Sequence, residues 1–385
     1  MYNKIVLLSS AVLMFFSCTN EKKNTLPVIQ ASDKSVNIKS GGILFKNAWT
    51  ISPDVKPDIY ATPNKQVTFY TNTDSITITV DSGKVFDFVI LLNGKDSAFT
   101  QVKYDPKAKL DIPINYLDTL KKAAAYNFSD NREVPKFFYQ SQDNPNLVAL
   151  RKGFKLDSIA GTGKDVDKIL NLLHWIHNLI PHDGNSNNPE VKNGMSLINE
   201  CKKGNRGLNC RGLATVLNEC YLATGFKSRF VTCMPKDSVF NDCHVINMVF
   251  VPSLNKWIWI DPTMEAYVMN EKGEMLGIEE VRERLVTNKP LEINKNANWN
   301  NKNPETKEDY LYNYMAKNLY RIQCGLSSEY DTETWKKGKT SVSVELLPLD
   351  AYLQEPHVKK EVNEKTGVTF IYYKTNNPNL FWVKP

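Results

Sequence analysis

Residues 207–225 read GLNCRGLATVLNECYLATG, and this stretch decides the interpretation of the fold. Its apolar residues recur at the spacing of one helical face: Leu213, Val216, Leu217 and Cys220. The pattern predicts a helix from Cys210 to Thr224, with Asn209 as N-cap and Gly225 just past the end. Cys210 is therefore expected in the first turn, where free backbone N–H groups and the helix dipole stabilise a thiolate.

The residues after this helix change from helical periodicity to alternation. Three successive segments predict β-strands: Phe226 to Cys233, Cys243 to Val251 and Lys256 to Ile260. His244 lies at the start of the second strand, and Asp261 follows the third. If these two strands pair as a hairpin, the two side chains lie close together on one face. Thiol catalysis needs a nucleophile, a base and a group that orients the base, and Cys210, His244 and Asp261 supply them in that order.

Four segments resemble the core of the transglutaminase-like superfamily: Leu208 to Ala214, Gly225 to Val231, Asp242 to Val245 and Trp257 to Thr263. The resemblance extends over roughly Leu147 to Pro290, and it implies a papain-like α+β fold with Cys210, His244 and Asp261 as the catalytic triad. It also implies a thiol-dependent hydrolase or acyltransferase that acts on amide bonds of a peptide, a protein or cell-wall peptide. The choice is between a cysteine peptidase or amidase and a protein-glutamine acyltransferase, and hydrolysis is favoured.

Several features that such enzymes can carry are not identified in the sequence. No side chain matches the family's donor to the oxyanion, and no calcium-binding loop pattern is present. No cofactor is expected. The positive residues are scattered despite a net charge of +6, so a nucleic-acid partner is not expected either.

The N-terminal residues predict export. Lys4 precedes an apolar run from Ile5 to Phe16 that is too short to span a bilayer as a helix, and Ser17-Cys18 ends it. This ending resembles the lipobox of bacterial lipoproteins, which implies that Cys18 is acylated. The protein is therefore expected to be exported and lipid-anchored to a bacterial membrane, namely the outer membrane, on its periplasmic or surface face. An ordinary signal peptide with an incidental cysteine is the alternative.

The 385 residues predict more than one domain. The expected α+β architecture has a signal peptide (1–17), a tether (18–35), an N-terminal antiparallel β domain (36–146), a transglutaminase-like catalytic domain (147–293), and a C-terminal extension with a helix and strands (294–385). The β domain is expected to be a sandwich, because alternating segments such as Val67 to Thr71 are separated by turn signals. In the extension, a helix is expected from Glu305 to Arg321.

Other interpretations remain open. Cys233 and Cys243 lie on strands that can be adjacent, so an exported protein can join them in a disulfide bond. His174, His177 and His182 raise the question of a zinc site. His174 and His177, three residues apart on a predicted helix, are compatible with shared ligation, but no third ligand is clearly placed, and packing near the rim of the site is the simpler interpretation. A non-catalytic lipoprotein that binds a peptide or glycan in the same cleft is the alternative function.

Overall fold

A computed structural model of the chain describes residues 26–41, 43–108, 116–236 and 243–385. The predicted signal peptide, Cys18 and the first part of the predicted tether lie outside the described residues. The described residues form two compact units, one up to residue 108 and one from residue 116. In these ranges, no helix is long and apolar enough to span a membrane.

The first unit is built from two four-stranded sheets. Its strands are β1 Val28–Ala31, β2 Ser35–Ser40, β3 Ile43–Thr50, β4 Asp58–Thr62, β5 Gln66–Tyr70, β6 Ser75–Thr79, β7 Val85–Leu92 and β8 Asp96–Tyr104. The sheet β3-β2-β5-β6 is antiparallel throughout, as predicted. In the sheet β1-β7-β8-β4, the two outer strands pair in parallel with their neighbours. Phe69 and Phe88 come from different sheets, and their rings meet 5.3 Å apart in a shared core, which is the packing of a sandwich.

The start of this unit differs from the sequence-based prediction. Strand β1 (Val28–Ala31) lies within residues assigned to the tether, yet it pairs with β7 and buries Ile29 and Ala31. Four residues of alternation are too short to distinguish a strand from a linker without its partner. The ordered β structure therefore begins before residue 36.

The second unit combines helices with one large sheet. Its helices are α1 Tyr116–Lys121, α2 Pro145–Gly153, α3 Leu156–Ala160, α4 Asp165–Leu179, α5 Gly194–Gly204, α6 Cys210–Ala223, α7 Ile278–Val286, α8 Ala316–Asn318 and α9 Pro378–Phe381, with a 3-10 turn at Pro252–Leu254 and a π-helix at Glu308–Met315. Its strands are β9 Phe138–Tyr139, β10 Ser228–Met234, β11 His244–Val251, β12 Lys256–Ile260, β13 Val268–Met269, β14 Glu292–Ile293, β15 Asn298–Trp299, β16 Asn303–Pro304, β17 Arg321–Gly325, β18 Ser327–Ser328, β19 Thr340–Leu346, β20 Val358–Val362 and β21 Thr369–Thr375.

The large sheet has the order β12-β11-β10-β17-β19-β21-β20 and separates two apolar cores. Side chains alternate between the two faces of the sheet along β11, so Ile246 and Met248 pack in one core and Val249 and Val251 pack in the other. Helix α6 lies in the second core, where Leu217 is fully buried; burying one leucine side chain contributes about 1.5–3 kcal/mol. The sheet holds the predicted β10, β11 and β12 beside a helix that begins at Cys210.

The C-terminal residues also differ from the prediction. Strands β17, β19, β20 and β21 belong to the same sheet as β10 to β12, so the segment predicted as an extension completes the sheet that holds these three strands. The single helix expected from Glu305 to Arg321 is a π-helix over Glu308–Met315 followed by the short α8. Arg321 instead begins β17. The apolar spacing in this region fits either kind of helix, so the wider turn is not visible in the sequence.

Candidate active site

Cys210 is the first residue of helix α6. The side-chain oxygen of the N-cap residue Asn209 accepts a hydrogen bond from the Gly212 N–H at 3.0 Å. The same oxygen accepts from the Asn188 side-chain amide, and the backbone N–H of Asn209 donates to the Asn188 side-chain oxygen. Among the described residues, none accepts a hydrogen bond from the backbone N–H of Cys210. The helix therefore presents both a thiol and an unsatisfied N–H group at its positive end, as the sequence predicted.

His244 and Asp261 form a buried pair next to this helix start. His244 Nε2 lies 2.7 Å from Asp261 Oδ2, and the two side chains are 2% and 0% exposed. Strands β11 and β12 pair in antiparallel register, which brings the start of β11 to the end of β12. Because Nε2 is engaged by the carboxylate, Nδ1 is the ring nitrogen left for the hydrogen bond between His244 and Cys210. The structure thus brings the three sequence-predicted residues together.

Asp261 is fixed by other contacts as well. Its Oδ1 accepts from the Thr263 N–H at 2.8 Å, and its Oδ2 accepts from the Tyr310 hydroxyl at 2.6 Å. Tyr310 in turn accepts from the indole N–H of Trp259 at 3.0 Å. Burial alone raises the pKa of Asp261, but the charge and hydrogen bond of His244 and these donors outweigh it and hold the pKa below its usual value. The carboxylate is therefore ionised and aimed at His244.

The electrostatics favour an ion pair between Cys210 and His244. Burial raises the pKa of Cys210, but hydrogen bonds from His182 and His244, the charge of His244 and the Val245 N–H lower it to about 6. Burial likewise lowers the pKa of His244, but Asp261 and the Cys210 thiolate raise it to about 10. At neutral pH the favoured state is therefore a thiolate beside an imidazolium, the state required for nucleophilic attack.

The six described cysteines are all free thiols, Cys233 and Cys243 included. The buried ones lack the environment of Cys210. The register pairs Cys233 with His244, so Cys243 does not face it across the strands. Burial raises the pKa of Cys201 to about 11 and raises the pKa of Cys233 well above its ordinary value. Buried thiols of this kind are poor nucleophiles, and Cys210 is distinguished from them by its surroundings.

Two of the three histidines considered for zinc, His174 and His177, lie near the same carboxylate, that of Glu265. His174 Nδ1 lies 2.5 Å from Glu265, and His177 contacts Pro262 and Asn298. His182 contacts Cys210 instead. Among the described residues there is no group of three His, Cys, Asp or Glu side chains that can hold a metal ion.

His182 and Tyr310 are the site residues that sequence reasoning missed. The sequence predicts His182 only near the rim of the site, and it predicts Tyr310 only as part of the helix from Glu305 to Arg321. His182 reaches Cys210 because its backbone pairs with Leu208, and Tyr310 comes from a segment 49 residues after Asp261. Both contacts depend on tertiary structure, and neither leaves a local pattern in the sequence.

A cavity of about 1030 Å³ opens beside the start of helix α6. Asn209 and Arg211, which flank Cys210, line it together with residues of β10, β17, β19 and β21. Cations and carboxylates are both present in its wall, among them Lys192 and Glu333, and Trp335 adds an aromatic surface. The cavity therefore offers room and mixed chemistry for a ligand larger than a single amino acid.

Comparison with known proteins finds one matching family profile. Residues 153–262 match the profile of the transglutaminase-like superfamily, which confirms the predicted resemblance and the α+β fold over this segment. The chain is thereby similar to papain-like thiol enzymes. Among solved structures, it is similar to a candidate cysteine protease from Cytophaga hutchinsonii, at 20% identity and a TM-score of 0.25, over 34% of this chain and 40% of that protein. No curated protein matches the chain in sequence.

Proposed function

We propose that the chain is a thiol-dependent enzyme that acts on amide bonds of a peptide, a protein or cell-wall peptide. The observation that carries the proposal is the buried His244–Asp261 pair beside a thiol at a helix N-terminus. The match to the transglutaminase-like superfamily supports it independently. The size and mixed polarity of the neighbouring cavity favour a segment of a peptide over a small metabolite.

The proposed reaction has two halves. The Cys210 thiolate attacks the amide carbonyl carbon, a C–S bond forms, and the carbonyl π electrons move to oxygen. When the tetrahedral intermediate collapses, the C–N bond breaks and His244 gives its proton to the leaving amine. Water or a second amine then attacks the thioester while His244 takes its proton, and the Cys210 thiolate leaves. Asp261 keeps the ring of His244 oriented throughout and stabilises its positive charge.

Hydrolysis and acyl transfer differ only in the molecule that attacks the thioester. The triad and fold are common to both outcomes. We favour hydrolysis, which needs only water as the second reactant. Two assays separate them: the appearance of a new carboxyl group in a peptide library, read as uptake of ¹⁸O from labelled water, measures hydrolysis, and incorporation of monodansylcadaverine into a glutamine-containing protein measures transfer.

Alkylation by iodoacetamide tests the nucleophile directly. At neutral pH, Cys210 should react much faster than an ordinary thiol, and Cys210→Ala should remove the fast phase. Cys243→Ala is the matched control, because this cysteine is also partly exposed and should leave the fast phase intact. Uniformly slow labelling of the wild-type protein would contradict the proposal and favour a lipoprotein that binds a peptide or glycan without reacting.

We also propose that the enzyme works outside the cytoplasm as a lipoprotein anchored through Cys18, as its N-terminal sequence predicts. The substrate would then be an exported or cell-wall peptide. Metabolic labelling with a palmitate analogue tests the anchor. The wild-type protein should incorporate the label and Cys18→Ser should not, whereas an unlabelled wild-type protein would exclude acylation.

A further inference from the structure

His182 lies beside the nucleophile because two chain segments are joined there. His182 forms a parallel bridge with Leu208, the Asp183 N–H donates to the Leu208 carbonyl at 2.8 Å, and the Leu208 N–H donates to the Pro181 carbonyl at 3.1 Å. The segment through His182 thus runs alongside the two residues that lead to Cys210. A Cβ atom at Gly207 would lie 2.5 Å from the Pro181 oxygen, so this close approach requires glycine.

The tautomer of His182 is fixed by its neighbours. The indole N–H of Trp299 donates to His182 Nδ1 at 3.2 Å. Because an indole N–H is only a donor, Nδ1 must present its lone pair and the ring proton must reside on Nε2. The next residue, Asn300, accepts from the His182 N–H at 2.6 Å and donates to its carbonyl at 3.0 Å. Trp299 and Asn300 therefore hold both the ring and the backbone of His182.

These contacts leave His182 Nε2–H as the donor in its hydrogen bond to Cys210. The backbone N–H of Cys210 has no acceptor among the described residues. His182 Nε2–H and the unsatisfied N–H of Cys210 are thus two donors close to the reacting sulfur, one from a side chain and one from the main chain. An oxyanion site in an acyl-transfer enzyme consists of such preorganised donors.

We propose that His182 is a further catalytic residue, whose Nε2–H donates to the oxyanion formed when Cys210 attacks the substrate carbonyl. This inference rests on the proposed function. As the C–S bond forms, negative charge moves from sulfur to the carbonyl oxygen, and the hydrogen bond of His182 moves with it. The Cys210 N–H is the second donor. His182 keeps its proton throughout, and His244 alone gives and takes protons.

Two reactions of the same thiol test the proposal. Acylation by p-nitrophenyl acetate passes through a tetrahedral oxyanion and releases a burst of p-nitrophenolate. Alkylation by iodoacetamide displaces iodide at a CH₂ group and forms no oxyanion. Both are measured at about pH 9, where Cys210 is a thiolate with or without the His182 hydrogen bond. Mass spectrometry of the modified peptide confirms that each reagent reacts at Cys210.

His182→Ala should lower the acylation rate by about 100- to 1000-fold and leave alkylation nearly unchanged. His182→Gln, whose amide can donate in place of the imidazole, should restore much of the acylation rate. Trp299→Phe should give an intermediate loss, because the proton is then free to move to Nδ1. His357→Gln, at a ring that contacts Tyr373 and the Glu133 carbonyl, is the control and should change neither rate.

Two outcomes would overturn the inference. One is unchanged acylation in His182→Ala, and the other is an equal loss of acylation and alkylation, which would assign His182 to the thiol and not to the oxyanion. If Cys210 of the wild-type protein reacts rapidly with neither reagent, the proposed function itself is contradicted, and the proposed role of His182 is contradicted with it. Thermal unfolding of each variant separates these results from misfolding.

Discussion

The Tyr310 hydroxyl donates to the same oxygen of Asp261 that holds His244, at distances of 2.6 and 2.7 Å. Tyr310 is buried in the π-helix, outside the segment 153–262 that matches the superfamily profile. Its hydroxyl also accepts from Trp259, so its orientation is fixed. The acid–base pair of the site thus depends on a residue of the C-terminal region.

Tyr310→Phe should weaken the thiolate–imidazolium pair. Without this donor the pKa of Asp261 rises, the pKa of His244 falls, and the pKa of Cys210 rises from about 6. A hydrogen bond to a charged group contributes about 1.5–3 kcal/mol, so a comparable loss of unfolding free energy is expected. The pH profile of iodoacetamide labelling and urea unfolding measure the two effects. Tyr312→Phe, on the same segment, should alter neither, and an unaltered Tyr310→Phe profile would contradict the role of Tyr310.

The pH dependence of Cys210 labelling follows from the two shifted groups. Below about pH 6 the thiol is protonated and slow, because its pKa in the folded protein is about 6. The rate should rise through that value and reach a plateau that persists until His244 loses its proton near pH 10. In urea the midpoint should move to about 8.5, the value of an unperturbed cysteine. A folded-state midpoint near that value would mean that the ion pair does not form.

Gly207→Ala should displace His182 without touching the triad. The added Cβ would lie 2.5 Å from the Pro181 carbonyl oxygen and 2.8 Å from the Asp183 Cβ, so the two segments must separate. Overpacking of this kind costs about 1–3 kcal/mol. We expect acylation by p-nitrophenyl acetate to fall more than alkylation. Gly204→Ala is the matched control, because its nearest contacts are the flexible Arg206 side chain at 3.7 and 3.9 Å. Equal behaviour of the two variants would contradict this account.

Arg229→Lys should destabilise the second unit although the charge is kept. The guanidinium donates to the Phe381 and Val383 carbonyls at 2.8 Å each and lies 3.6 Å from the Phe137 ring. A lysine ammonium cannot reproduce this planar fork, so a loss of about 3 kcal/mol is expected in urea unfolding.

Arg284→Lys is the control for this substitution, since the ion pair of Arg284 with Glu271 is partly exposed and contributes about 0–1 kcal/mol. Equal stability of the two lysine variants would show that Arg229 does not anchor the C-terminal residues.

The sequence predicted those parts of the site that rest on local patterns. Helical periodicity and an N-cap located Cys210, and alternation along two strands placed His244 and Asp261 on one face. His182 and Tyr310 are positioned by contacts between distant segments. Trp299, which orients His182, lies 117 residues after it, and no periodicity links the two. The prediction is wrong at strand β1 and at the π-helix for a similar reason: the strand is defined by its partner and the π-helix by its hydrogen bonds, and neither is defined by apolar spacing.

The single sheet shared by β10 to β12 and β17 to β21 bears on protein engineering. Residues 153–262 match the superfamily profile, but the strands that continue their sheet beyond β10 lie between residues 321 and 375. A truncation after residue 293 would expose one side of β10 and remove both Tyr310 and Trp299. Any transfer of this site to another scaffold should therefore include the chain as far as Val383, whose carbonyl, with that of Phe381, accepts from Arg229.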